Sequence, residues 1–322
     1  MSSSGTPLGR NLLVARPSRH DVAIELSVVI PAYNEAFRLP VALDALRHHV
    51  DATATEVIVV DDGSSDGTAQ VARRSADWAK HLIVIEHEIN RGKGAAVRTG
   101  VGVARGEVIA FIDADNATDL RALRPMMAAL GDNVSAVFGS RHAPGSSVSG
   151  APAIRGLMGR LFNHVVQLAA GTSIRDTQCG AKVFDGPTAR LVFAGAGVDG
   201  FAFDVEILRR LLALQLGVIE YPVTWHYVHG TKIKLTTPLR MLRDIAKVRI
   251  GGDRGLPAHI DGTYIEALGA LTDPLTSGDK PTVGQPCRVA LPFEPAHAYQ
   301  EALGVRPRQA ATWDELARQS RV

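Results

Sequence analysis

Along the first half of the chain the apolar residues come in short unbroken runs: LSVVI from Leu26, EVIVV from Glu56, LIVIE from Leu82, EVIAFI from Glu107 and AVFG from Ala136. Runs this short, rich in Val and Ile and without strict polar alternation, predict strands buried on both faces. Between them, residues 39–49, 68–80 and 94–104 read as helices. The alternation predicts an α/β architecture with a mainly parallel central sheet and helices on its faces. Ligands bind such sheets beyond the carboxyl ends of the strands. Polar segments stand at those ends: PAYNE after the first strand, DDGSSDGT after the second, NRGKG after the third and DADNATD after the fourth.

Beyond Arg141 the segment HAPGSSVSGAP reads as a mobile loop and leads into a predicted helix over 154–170. The apolar stripe of that helix (Ile154, Leu157, Met158, Leu161, Val165, Leu168) favours core packing over a membrane-facing role. VEILRRLLALQ predicts another helix and VIEYPVTWHY a strand. A helix is predicted over 237–250, with Leu239, Leu242 and Ile245 on one side and Arg240, Arg243 and Lys247 beside them. It suits an anionic membrane surface or ordinary packing on the domain equally well. The sequence thus divides into a flexible leader (1–24), a globular unit (25–250, with halves 25–120 and 121–250) and a C-terminal appendage (251–322).

Composition narrows the class. In 322 residues, 46% are hydrophobic and 21% charged, as in an ordinary globular protein, and a net charge of +2 gives no warrant for nucleic-acid binding. Cys179 and Cys287 are the only cysteines, so no disulfide framework is implied and a reducing cytoplasm suits the chain. The amino terminus does not read as a secretory signal, and apolar stretches stop short of the roughly 18 residues a span needs. Membrane contact, if made, is expected from the surface.

Asp113 and Asp115 end the fourth strand two residues apart, where alternate side chains can aim at one cation. Alone, an Asp-x-Asp is more often a turn. Upstream, glycines around Lys93 just before a helix let backbone and a cation approach a phosphate. Tyr33, Asn34 and Glu35 after Pro31 could hold a nucleobase, although Glu35 could equally cap a helix. Asp61 and Asp62 could accept a base N–H or close a turn. No Walker sequence and no G-x-G-x-x-G at the first strand-to-helix turn is present, which disfavours a P-loop ATPase and a Rossmann dehydrogenase.

VVIPAYNE, VVDDGSSDGT, NRGKGAAVRTG and FIDADNATD, in this order and spacing, resemble the nucleotide-sugar half of family 2 glycosyltransferases of the GT-A fold, a Rossmann-like design. GSR at 139–141, IRDTQCGAKVF at 174–184, GFAFDVEIL at 200–208 and VTWHYVHGTKI at 223–233 resemble the dolichyl- and polyprenyl-phosphate β-glucosyltransferases. The resemblance implies that Pro31, Tyr33, Glu35, Asp62, Lys93, Asp113, Ala114 and Asp115 surround the nucleotide sugar, with Asp113 and Asp115 holding Mg2+ or Mn2+. It implies that Arg141, Arg155 and Lys232 surround a lipid phosphate, as charge-assisted donors suit a doubly charged group. For Arg155 taken alone, a solvated surface charge is the better reading. Related mannosyl-phosphate synthases often carry a polar residue at position 117; here Ala117 offers no third side-chain ligand.

The implied reaction moves a hexose, glucose from UDP-glucose, onto polyprenyl phosphate with inversion, at the cytoplasmic face of a membrane by peripheral contact. Asp115 and Asp176 are the candidate catalytic residues; Asp176 is the candidate base or acceptor-orienting carboxylate, against a salt bridge with Arg175 or a loop cap. Asp204 and Glu206 are weaker candidates for orienting the sugar or a loop. Cys179 reads as a small buried residue, and the paired histidines (48 and 49, 226 and 229) as solvated or packed rather than metal-binding. Two alternatives stay open: a soluble saccharide or metabolite as acceptor, and a catalytically silent nucleotide-sugar-binding protein. The sequence does not indicate the oligomeric state.

Overall fold

Four strands take the predicted runs: β1 (Leu26–Ala32), β2 (Thr55–Asp61), β3 (His81–Glu86) and β4 (Val108–Ile112). They pair in parallel, β2 between β3 and β1, and β1 between β2 and β4. Between them run α1 (Leu39–Arg47), α2 (Thr68–Ser75) and α3 (Lys93–Val103). The computed structural model describes residues 23–131, 133–150, 167, 172–228 and 244. The predicted helices over 154–170 and 237–250, the leader up to residue 22 and the appendage 251–322 lie outside the described residues, single positions aside, as do Arg155 and Lys232.

The second half continues with α4 (Leu123–Ala128), β5 (Ala136–Ser140), β6 (Ser147–Ser149), β7 (Ala181–Asp185), α5 (Gly186–Phe193), α6 (Phe203–Ala213), β8 (Val218–Pro222) and β9 (Thr224–His226). Seven strands form one sheet in the order β3-β2-β1-β4-β7-β5-β8. β7 runs antiparallel to both β4 and β5, while β5 and β8 are parallel. The sheet is therefore mixed and mainly parallel, as expected, and β7 joins the two halves of the sequence into a single layer.

Strand alternation divides the core between the two faces. Val28 and Ile30 pack with Leu39 and Leu43 of α1 and Met126 of α4, whereas Val29 packs with Ala96 and Val97 of α3 and Leu208 of α6. All are buried, and each large aliphatic among them contributes about 1.5–3 kcal/mol of transfer free energy.

Three local features depart from the sequence expectation. α2 stops at Ser75 instead of 80, because the chain tightens into a turn where the Ala79 N–H donates to the Ala76 carbonyl. The predicted strand over VIEYPVTWHY breaks at Val223 into β8 and β9. The segment HAPGSSVSGAP is not loop throughout: β6 pairs in parallel with β9, Val148 opposite Trp225.

Candidate active site

β4 delivers Asp113 and Asp115 to the carboxyl edge of the sheet. The turn that follows puts Asn116 in the left-handed region (φ 55°), and Asp115 Oδ1 accepts the Ala117 N–H at 3.0 Å. Lys93, the first residue of α3, places Nζ 2.6 Å from Asp113 Oδ1. On the other side the Asp113 N–H donates to the Gly180 carbonyl (2.9 Å), and a Cβ at Gly180 would stand 2.2 Å from Asp113 Oδ2. Only glycine lets the backbone approach the carboxylate so closely.

Electrostatics at this corner reflect crowded carboxylates. Burial and then the neighbouring Asp113 push the Asp115 carboxyl above its ordinary value. Burial disfavours the Lys93 ammonium, but Asp113, Asp204 and Asp115 outweigh it and its pKa is raised. The Arg38 guanidinium, raised chiefly by its hydrogen bonds to Glu35, also feels Asp115 and Asp113. Two oxygen-donor side chains that repel one another fit a hard divalent cation, which would relieve the repulsion. Among the described residues no group of three or more His, Cys, Asp or Glu could hold a metal ion. Ala117 is buried and brings no ligand.

The strand-end loops interlock. Asp62 accepts from the Arg91 and Gly92 N–H groups at 2.9 and 2.7 Å and lies 2.7 Å from His87 Nδ1, anchoring the NRGKG loop. Asp61 accepts from the Ser64 and Ala69 N–H groups. Across the first two loops the Asn34 N–H donates to Ser64 Oγ and Asn34 Oδ1 accepts the Ser65 N–H, and the Glu35 N–H donates to Thr68 Oγ1 at 2.8 Å. Glu35 accepts from Arg38 through both carboxylate oxygens, at 2.7 and 2.5 Å. Tyr33 is 40% exposed at the edge of this surface. Pro31 sits opposite Val60 but beyond the end of the β4 ladder, where its missing N–H leaves no gap.

The acceptor-side candidates gather around Arg141 at the end of β5. Its Nε and a terminal nitrogen bind Asp176 at 2.7 and 2.8 Å, and its backbone N–H donates to the same carboxylate at 3.0 Å. Asp176 is buried, and although burial alone would raise its pKa, Arg141 holds the carboxyl below its ordinary value. The Asp176 N–H donates to Glu220 Oε1, and the Arg141 guanidinium lies 5.6 Å from the Trp225 ring centroid. Asp176 thus pairs with Arg141, not with the adjacent Arg175.

Asp204 and Glu206 lie in the first turn of α6. Asp204 pairs with buried Lys182 at 2.8 Å, and that ammonium also donates to the Cys179 carbonyl. Glu206 accepts from the Gly197 and Val198 N–H groups and shapes the turn whose Asp199 carbonyl receives the Gly94 N–H. Cys179 is buried and burial pushes its thiol pKa up, the opposite of an activated nucleophile. Ala114 is buried in an apolar cluster of the core. Sequence reasoning missed Arg38, Gly180, Lys182 and Trp225. Only Arg38 left a local signal, a cation three residues after Glu35.

A family model described as glycosyl transferase family 2 matches residues 27–184, from β1 into β7. A dolichyl-phosphate beta-glucosyltransferase of Drosophila melanogaster is 38% identical over 256 residues, covering 72% of this chain and 77% of the relative. The corresponding protein of Homo sapiens is 34% identical over 246 residues, covering 70% and 75%. The chain belongs to glycosyl transferase family 2. The family 2 match takes in both Asp113 and Asp115 and the whole segment around Asp176. In fold the chain is similar to glucosyl-3-phosphoglycerate synthase from Mycobacterium tuberculosis, solved with Mn2+, uridine diphosphate and glucosyl-3-phosphoglycerate. The TM-score is 0.53 at 20% identity, covering 72% of this chain and 81% of that one.

Proposed function

We propose that this family 2 glycosyltransferase moves glucose from UDP-glucose to a dolichyl-type polyprenyl phosphate, inverting the anomeric carbon. The observation that carries this reading is the placement of two opposed charge centres on one sheet edge. The carboxylate pair Asp113/Asp115 with Lys93 suits a nucleotide diphosphate, and the Arg141 fork, backed by Asp176, suits a phosphate acceptor. The relatives named dolichyl-phosphate beta-glucosyltransferase support the choice of donor sugar and lipid.

Each residue then has a role set by its surroundings. Lys93, kept cationic by Asp113 and Asp204, donates to the diphosphate oxygens as the sugar leaves. Asp113 and Asp115 would hold Mg2+ or Mn2+, which supplies Lewis-acid stabilisation of the leaving diphosphate when bound. Arg141 keeps guanidinium N–H groups beyond those given to Asp176, and these can grip the acceptor phosphate. Asp176 acts as a positioning residue: its oxygens already accept three N–H groups from Arg141, and its lowered pKa makes it a poor proton acceptor. No strong base is required, because a phosphate monoester with a second pKa of about 6 is largely dianionic near neutrality.

The test is direct: purified protein, Mn2+ or Mg2+, UDP-glucose and polyprenyl phosphate, with the lipid product weighed by mass spectrometry. A glucosylated polyprenyl phosphate is expected, and Asp113→Asn should lower its rate by about a hundredfold or more, the several kcal/mol that such charge stabilisation supplies. Absence of any lipid-linked hexose across a panel of nucleotide sugars would sink the proposal.

A further inference from the structure

The segment linking Asp176 to Gly180 is irregular, yet its backbone is pinned almost residue by residue. The Asp176 N–H donates to Glu220 Oε1 at 2.9 Å and the Gln178 N–H to Asp176 Oδ1 at 3.2 Å. The Cys179 carbonyl accepts from Lys182 Nζ at 2.7 Å and the Gly180 carbonyl from the Asp113 N–H at 2.9 Å. Within this fixed frame two neighbours each carry an enclosed side-chain atom with no hydrogen-bond partner, Thr177 Oγ1 and Gln178 Nε2. An enclosed polar group left unpaired costs about 1–3 kcal/mol, so the concentration of two of them in a rigid segment calls for an explanation.

Position supplies one. Asp176 is locked onto Arg141, on the acceptor side, and Gly180 presses against Asp113, on the donor side. Gln178 is two residues from each, so its Cα lies within about 7 Å of both of theirs. On the function proposed above, the hexose must lie between the diphosphate and the acceptor phosphate, alongside this segment. Thr177 is only 1% exposed, whereas Gln178 is half-buried and carries a carboxamide that can both donate to and accept from a hydroxyl. We propose that Gln178 is a specificity-determining residue whose carboxamide hydrogen-bonds a hydroxyl of the donor hexose. This inference rests on the donor reading above.

The decisive comparison is Gln178→Leu in the full chain, with UDP and UDP-glucose titrated separately by calorimetry in Mn2+ and the melting temperature recorded. Expected are unchanged affinity for UDP, about fivefold to tenfold weaker affinity for UDP-glucose, and a melting temperature equal to or above that of the parent, since an unpaired buried amide is removed. Retained UDP-glucose affinity would overturn the inference. So would a parallel fall for both ligands with a lowered melting temperature, the mark of a merely structural residue. If the parent protein itself binds no nucleotide hexose better than the bare nucleotide, the proposed function falls with it; if the parent discriminates and the variant keeps the same ratio, only the role of Gln178 falls.

Discussion

At the scale of single residues, Asp113 and Asp115 were legible because strand period and chain position alone place them at the sheet edge. The employment of Asp176 was not, because its partner lies 35 residues away and a closer cation, Arg175, stood next to it. The pair has a pH signature. With its pKa lowered by Arg141, Asp176 contributes stability that is present above the unfolded value of 3.8 and is lost as pH falls through the lower folded value. Arg141→Leu reverses the sign: with the guanidinium gone, only backbone N–H groups and His142 still oppose burial, which raises the Asp176 pKa, so the deficit relative to the parent grows as pH rises above about 4. Urea unfolding should show a loss of about 3–5 kcal/mol near neutrality and a smaller loss near pH 4.5. Equal losses at the two pH values would mean that Asp176 is not left as an uncompensated buried charge.

At the scale of elements, the apolar runs revealed β1 to β5 and the region of β8, but β7 escaped notice. AKVFD is short and carries a lysine as its second residue, which breaks an apolar reading. Lys182 is nevertheless buried, with Nζ 4.8 and 5.0 Å from the ring centroids of Phe111 and Phe138 on the two flanking strands. Its charge is balanced by Asp204, 22 positions later in α6, a pairing no local pattern announces. The pair fastens the one antiparallel strand of the sheet, and with it the Cys179–Gly180 turn, to the helix beside Lys93. Lys182→Met should therefore lower unfolding free energy by about 3–5 kcal/mol, because Asp204 is left buried and unpaired, whereas Lys182→Met with Asp204→Leu should recover most of that loss. Chemical denaturation of the four members of this double-mutant cycle measures the coupling; additive losses would show that the two charges do not depend on each other.

At the scale of the whole molecule, a mainly parallel sheet and its loaded edge were legible in the sequence, since strand–helix alternation and the loops at strand ends follow general rules of α/β folds. It could not reveal how loops far apart in the chain lock together. The Gly94 N–H on the Asp199 carbonyl and Asp62 on Gly92 are both contacts across long sequence separations. Among the described residues no helix is long and apolar enough to cross a membrane. With a net charge of only +2, an electrostatic attraction to a bilayer would draw on local basic groups, such as Arg240, Arg243 and Lys247 in the sequence. Contact of that kind is electrostatic and screened by salt. The full chain should accordingly co-sediment with vesicles containing anionic lipid at low ionic strength and be released in about 1 M salt, where the screening length falls to about 3 Å. Glucosylation of vesicle-borne polyprenyl phosphate should fall in the same salt range while binding of UDP-glucose to the free protein falls less. Vesicle binding that ignores salt would instead place the attachment in apolar burial and leave the basic residues at 240, 243 and 247 without that role.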